Sequence, residues 1–144
     1  MLFEIAKKSD IDQIEDCGKS NLLTFYKKDM LLDIIDDKDH VIMKVTNKNK
    51  LIGFIILKID QEKNNVHIKS IAVYSEYRNQ QIGSKMIHLV KNLFPNNNIT
   101  LYVQTTNKDA IRFYKKNDFI IMNKKKDYYN NLHNNDAYTM IYLM

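Results

Sequence analysis

Seven residues, Arg78-Asn79-Gln80-Gln81-Ile82-Gly83-Ser84, stand between a β-branched run and an amphipathic one, and together they have the make-up of an anion site. Upstream, residues 67–74 (HIKSIAVY) are dense in β-branched and apolar side chains, which occupy both alternating faces from Ile71 on; this predicts a largely buried strand. Downstream, Ile82, Met86, Leu89, Val90 and Leu93 recur at three- and four-residue steps until Pro95 stops the pattern, which predicts a helix. A strand that turns through a short polar loop into a helix gathers unpaired N–H groups and the positive end of the helix dipole at one point. That arrangement holds a phosphate. Neither G-x-G-x-x-G nor G-x-x-x-x-G-K-[ST] occurs, so the loop is neither a dinucleotide fingerprint nor a Walker loop.

The rest of the chain supplies a frame for that loop. Leu2, Phe3 and Ile5 predict a first strand, and Asp10 is the expected cap of a helix carrying Ile11, Ile14 and Cys17 and ending near Gly18. A second helix carries Met30, Leu31, Ile34 and Ile35. The segments HVIMKV and LIGFIILKI read as a hairpin joined by TNKNK. After the central strand and helix, NITLYVQT predicts a strand, NKDAIRFYKKN a short helix, and FIIM and AYTMIYLM two closing strands around the loop 123–136. The expected fold is mixed α/β of the α+β type, with a mostly antiparallel sheet of about seven strands and about four helices, and an antiparallel meander that argues against a doubly wound sheet.

Composition bounds the ligand. A chain of 144 residues with 44% hydrophobic residues is expected to form one domain, residues 1–144, with a real core. The single cysteine, Cys17, excludes an internal disulfide and a cysteine metal cluster, no metal site is expected, and no apolar run reaches membrane-spanning length. With no signal peptide read at the start, a cytoplasmic location is expected. The net charge of +5 favours anionic partners without choosing among them, but lysines scattered in turns with no base-stacking platform argue against nucleic acid.

The stretch IAVYSEYRNQQIGSKMI resembles the GNAT superfamily of acetyl-CoA-dependent N-acetyltransferases, in which a central strand is followed by [Q/R]-x-x-G-x-[G/A] and a helix. Arg78 fills the first slot and Gly83 the last, while Gln81 stands where the middle glycine is usual. The stretch LYVQTTNKDAIRFYKKNDF is similar to the family's next strand and helix, in register at Leu101, Val103, Asn107, Ala110, Phe113, Tyr114 and Phe119, with Asp118 in a glycine slot. With the element order, the resemblance covers nearly the whole chain.

The resemblance implies acetyl-CoA as cosubstrate and direct attack by an amine. The pyrophosphate would lie on Asn79, Gln80, Gln81, Ile82, Gly83 and Ser84, with Arg78 opening the loop. The pantetheine would add to the strand at Ile71, Ala72 and Val73, with the Val73 N–H facing the developing oxyanion and Asn107 on the pantetheine. Tyr114 would protonate the leaving thiolate. An alkylamine of pKa about 10 must lose a proton before attack, and His67 is the base candidate, with Glu4 or a water chain as alternatives. Tyr26, Tyr128 and Tyr129 are expected to line the acceptor groove, since the loop DYYNNLHNNDAYTM is similar to the tail of the ribosomal-protein alanine acetyltransferases. The acceptor is expected to be a small-molecule amine; a protein N-terminus or lysine, and a non-catalytic acyl-CoA sensor, are the alternatives. A homodimer is left open.

Overall fold

A computed structural model of the chain describes residues 1–129 and 136–144. The elements run β1 (Leu2–Ile5), α1 (Ile11–Asn21), α2 (Lys28–Asp36), β2 (His40–Asn47), β3 (Lys50–Asp60), β4 (Asn65–Val73), α3 (Ile82–Leu93), β5 (Asn98–Gln104), α4 (Lys108–Lys116), β6 (Ile120–Lys125) and β7 (Ala137–Tyr142), with short 3-10 turns at Lys8–Asp10 and Ser75–Tyr77. The seven strands form one sheet in the order β1-β2-β3-β4-β5-β7-β6. Every neighbouring pair is antiparallel except β4 and β5. The expected mixed fold is the observed one.

Each face of the sheet carries two helices. On one, Ile82, Met86, Ile87 and Val90 of α3 and Ile111 and Tyr114 of α4 pack against Val66, Ile68, Leu101 and Val103. On the other, Ile11, Ile14 and Cys17 of α1 and Leu31 and Ile34 of α2 cover Ile42, Phe54, Ile56 and Ala72. Each fully buried aliphatic side chain contributes roughly 1.5–3 kcal/mol over its exposed state, so these two stripes fix how the helices sit. The β2–β3 turn needs only Lys48 and Asn49, both at positive φ (52° and 67°), as a two-residue hairpin of right-handed twist requires.

Three local expectations are corrected. Helix α1 does not stop near Gly18 but runs to Asn21, whose side chain turns back onto the Cys17 carbonyl at 2.7 Å. Gly18 lies inside the helix because the Phe25 ring occupies the space its side chain would need. Asp10 makes no side-chain cap to α1; its carboxylate accepts from the Lys7 N–H at 2.7 Å and from Lys44 Nζ at 2.8 Å, closing the preceding turn instead. In the second helix Met30 is exposed, so Leu31 and Ile34 alone are its buried residues. Residues 130–135 of the β6–β7 loop lie outside the described residues.

Candidate active site

Strands β4 and β5 pair in parallel only from Asn65↔Asn98 to Ile68↔Leu101, and beyond that they diverge. The splay opens a cleft of about 920 Å³, the size of a cofactor site. Residues 68–73 of β4 form one wall and residues 101–104 of β5 with α4 the other, and the loop before α3 and residues 21–24 after α1 complete it. Tyr74 donates its N–H to Ile52 on β3 at 3.0 Å. Because successive residues of a strand turn their backbone groups to opposite sides, Val73 and Ile71 direct theirs into the cleft. The Val73 carbonyl accepts from Arg78 Nε at 3.2 Å, which leaves its N–H as the group offered to a ligand. Ile71 and Val73, expected to be buried, are only half-buried because they face this opening.

Arg78 also donates from Nη2 to Asn21 Oδ1 at 2.8 Å, so it ties the end of β4 to the end of α1. Asn79 and Gln81 both adopt positive φ, 64° and 60°. Gln81 thus occupies a left-handed backbone that favours glycine, in the slot where the sequence departs from the family pattern. Past it the N–H groups of Ile82, Gly83 and Ser84 open α3 with no intrahelical carbonyl to reach. Ser84 Oγ accepts from the Asn117 amide Nδ2 at 3.1 Å, which leaves its O–H as well as its backbone N–H to donate to an anion. Gly83 has a second reason to be glycine: a Cβ there would stand 2.9 Å from Cζ of Phe113 on α4. We expect Gln81→Gly to remove the left-handed penalty, to stabilise the fold by about 1 kcal/mol at most, and to leave acetyl-CoA affinity equal or higher. Denaturant melts and calorimetric titration check this, and a marked loss of affinity would mean that the glutamine side chain itself touches the ligand.

Of the residues expected at the site, Ile71, Ala72, Val73, Arg78, Asn79, Gln81, Ile82, Gly83, Ser84, Asn107, Tyr114 and Tyr129 line the cleft, and Gln80 is exposed beside it. Asn107 accepts the Ala110 N–H at 3.1 Å and caps α4, so its carbonyl oxygen is already used. Tyr114 lies on the inner face of α4, edge-on to Phe113 at 5.2 Å and to Phe119 at 5.8 Å. Among the described residues its hydroxyl has no hydrogen-bond partner. Burial, reinforced by Tyr129, pushes that hydroxyl well above the ordinary tyrosine range, so it remains protonated at neutral pH. Cys17 is buried and its thiol is pushed up to about 12, chiefly by desolvation, which suits a core residue and no nucleophile.

The other residues gather on the α1/α2 side of the sheet. Tyr102, which the sequence reading did not single out, sets its ring at a tilt 4.6 Å from His67 and 4.8 Å from Tyr128, and Tyr128 lies 4.9 Å from Tyr129. Tyr26 faces Tyr128 across this cluster, with Lys69 Nζ 5.5 Å above its ring. Alternation along β5 was the available signal, since Leu101 and Val103 in the core turn Tyr102 to the opposite face. His67 does not reach the cleft wall. It is half-buried beside Tyr102, with Nδ1 2.8 Å from Thr100 Oγ1. Burial, then the charges of Lys69 and Lys125, lower its pKa to about 4, so the ring is neutral at pH 7 and holds a proton poorly. Glu4 lies on the edge strand β1, 3.6 Å from Lys44, and does not line the cleft either.

The His67 shift has a sign for stability. An unfolded histidine binds a proton near pH 6.5 and the folded ring only near 4, so the contribution is fully present above 6.5 and is lost as pH falls toward 4. Equilibrium unfolding over that window is expected to show stability falling with acid, and His67→Gln is expected to flatten that part of the curve. An unchanged slope in the variant would contradict the burial of the ring.

The family model of the acetyltransferase (GNAT) family matches residues 3–119. The chain is 33% identical to N-alpha-acetyltransferase 50 of Danio rerio over 62% of its length and 56% of that relative's, so it spans little more than half of that protein. A structure of Ard1 from Thermoplasma volcanium superposes with a TM-score of 0.87 at 26% identity, over 97% of this chain and 95% of the other. The ribosomal-protein-S18-alanine N-acetyltransferase of Escherichia coli has the same fold, with a TM-score of 0.87 at 16% identity over 97% and 91% of the two chains. No helix among the described residues is long and apolar enough to cross a membrane.

Proposed function

The chain belongs to the acetyltransferase (GNAT) family and draws its acetyl group from acetyl-CoA, and on that premise we propose that residues 1–144 form one domain that acetylates the α-amine of a peptide N-terminus. The carrying observation is the character of the acceptor end of the cleft. Tyr26, Tyr102, Tyr128, Tyr129, Ser70 and Lys69 meet there, and the one carboxylate among the described residues of the cleft lining is Asp109, an exposed side chain on α4 bonded to Arg112 at 3.0 Å. A polyamine carries several ammonium groups and needs carboxylates to hold them. A peptide needs hydroxyl donors for its carbonyls and aromatic surface for its first side chains, which this cluster supplies. The relative named N-alpha-acetyltransferase 50 supports the same choice over a small-molecule amine.

The chemistry assigns a task to each group. Bound acetyl-CoA brings a thioester carbonyl activated toward an amine. The open edge of β4 at Ile71 and Val73 offers strand-like hydrogen bonds to the pantetheine amides, and the N–H groups from Asn79 to Ser84 take the pyrophosphate at the positive end of α3. The Val73 N–H faces the oxygen on which charge develops, and Tyr114 gives its proton to the departing sulfur. Tyr102, braced by His67, lines the approach of the acceptor.

Specificity constants on a panel test the reading: peptides with free N-termini, the same peptides blocked at the α-amine but carrying lysine, and spermidine-like polyamines. The free N-termini are expected to lead by at least about tenfold, the discrimination available from about 1.4 kcal/mol of differential transition-state binding. Equal rates on blocked peptides would move the site of acetylation to lysine. Cofactor binding without turnover on any amine would favour the sensor.

A further inference from the structure

At neutral pH the acceptor enters as an ammonium ion and leaves as an amide while the thiolate gains one proton, so each turnover must export one net proton from the site. His67, set against Tyr102 and Thr100 and absent from the cleft lining, holds a proton poorly at neutral pH. A different group of side chains leads outward from the acceptor end. Lys69 lies on the cleft wall at the irregularity where β3 and β4 shift register between Ile56 and Leu57, with its Nζ above Tyr26. That nitrogen is 3.3 Å from Nε2 of His40, the first residue of β2, and His40 Nδ1 is 2.6 Å from Asp37 Oδ2. The His40 side chain is 8% exposed and that of Asp37 44%, so the array starts in the cleft, crosses the interior and ends at solvent. Two contacts set the tautomer: the carboxylate accepts from Nδ1–H, and Nε2 therefore accepts from the ammonium. The Asp39 N–H, 3.2 Å from the same Asp37 oxygen, holds the carboxylate in place.

We propose that Lys69, His40 and Asp37 form the proton exit of the acetylation reaction, with Lys69 as the group that deprotonates the acceptor amine. The inference rests on the amine-acceptor reading above. In the step, an Nζ–H bond of Lys69 breaks and an Nε2–H bond of His40 forms, giving an imidazolium held by Asp37. The neutral Lys69 amine then takes a proton from the acceptor ammonium, and the freed nitrogen pair forms the bond to the thioester carbonyl carbon. The C–S bond breaks as Tyr114 protonates the sulfur, and the second proton lost by the acceptor nitrogen replaces the one Tyr114 gave. Lys69 is restored as ammonium, and the imidazolium gives its proton to water after the product leaves. The charges facing Lys69 favour its losing a proton: desolvation comes first, then Lys58 on β3, with Asp37 opposing. His67 and Tyr26 are the other titratable groups facing it, and neither carries a charge at neutral pH. On the far side, the His40 contact holds the Asp37 carboxyl below its usual range, as an anion that can stabilise an imidazolium.

The test compares Lys69→Arg, Lys69→Met, His40→Gln and Asp37→Asn with wild type, on the best peptide acceptor, from about pH 6 to about pH 10. Arginine keeps the length and the charge but cannot deprotonate, so Lys69→Arg and Lys69→Met are both expected to lose roughly 10²-fold in kcat at pH 7, with the KM for acetyl-CoA unchanged. The loss should shrink as pH rises toward the acceptor's own pKa. His40→Gln and Asp37→Asn should show smaller losses, about tenfold, of the same pH shape. Thermal melts confirm folding of each variant, and nitrogen-15 spectra of wild type should show His40 protonated on Nδ1. Wild-type turnover in Lys69→Arg would overturn the proposal and make Lys69 a plain cation for an acidic peptide. A pH-independent loss, or His40 protonated on Nε2, would overturn it too. Absence of wild-type turnover on every amine is a different result, which defeats the functional reading and takes the exit with it.

Discussion

Tyr114→Phe is expected to lower kcat by about 10²-fold while acetyl-CoA binds as before and the fold melts at nearly the same temperature. The reasoning starts from packing. The Tyr114 ring is held edge-on between Phe113 and Phe119, and phenylalanine fills the same space with the same contacts. A buried tyrosine normally loses about 1 kcal/mol with its hydroxyl through a broken hydrogen bond. Here the hydroxyl has no partner among the described residues, so that cost is absent, and the residue lines the cleft. Burial keeps the hydroxyl protonated, as the proposed role of donor to the departing sulfur requires. An interaction present mainly in the transition state appears in kcat and leaves ground-state affinity alone. Stopped thiol-release assays with calorimetric titration of acetyl-CoA separate the two quantities. Unchanged turnover would return Tyr114 to the core and make water the proton donor.

Gly83→Glu should remove acetyl-CoA binding, with affinity falling at least about 10²-fold and no thermal shift at millimolar cofactor. Two effects act together. The new Cβ would meet the Phe113 ring, with Cζ at 2.9 Å and Cε1 at 3.1 Å, and so push a wall residue of the cleft. The carboxylate would also settle at the positive end of α3, on the same N–H groups proposed to take the pyrophosphate. Gly83→Ala separates them, because it displaces the ring but keeps the donors free; a partial loss is expected there. Full binding in the glutamate variant would place the cofactor phosphates elsewhere.

Much of this was legible in the sequence because it is local. The polar loop between a β-branched strand and a helix, the left-handed tolerance required at Gln81 and at Asp118 (φ 72°), and the tyrosine-rich β6–β7 loop are all set by neighbouring residues. What escaped depends on distance in the chain. His67 reads as a base candidate, and its neighbours Thr100 and Tyr102 come from the pairing of β4 with β5, which no local spacing gives. The contact of Lys69 with His40 joins two strands separated by β3, and no spacing rule foretells it. Gly18 suggested a helix end because glycine commonly stops helices, yet the Phe25 ring needs its missing side chain. The cap that Asn107 makes on α4 was also not foreseen; it leaves the side-chain amide donors free at the cleft.

The central claim is that acetyl-CoA and a free peptide α-amine meet in the cleft between β4 and β5. It is tested most directly by incubating the protein with isotope-labelled acetyl-CoA and a peptide that carries both a free N-terminus and an internal lysine, then locating the label by tandem mass spectrometry. The account predicts label on the N-terminal nitrogen, and its loss when Gly83→Glu or Tyr114→Phe replaces wild type. Label on the lysine nitrogen alone, or no label on the peptide while a polyamine in the same mixture is acetylated, would contradict it.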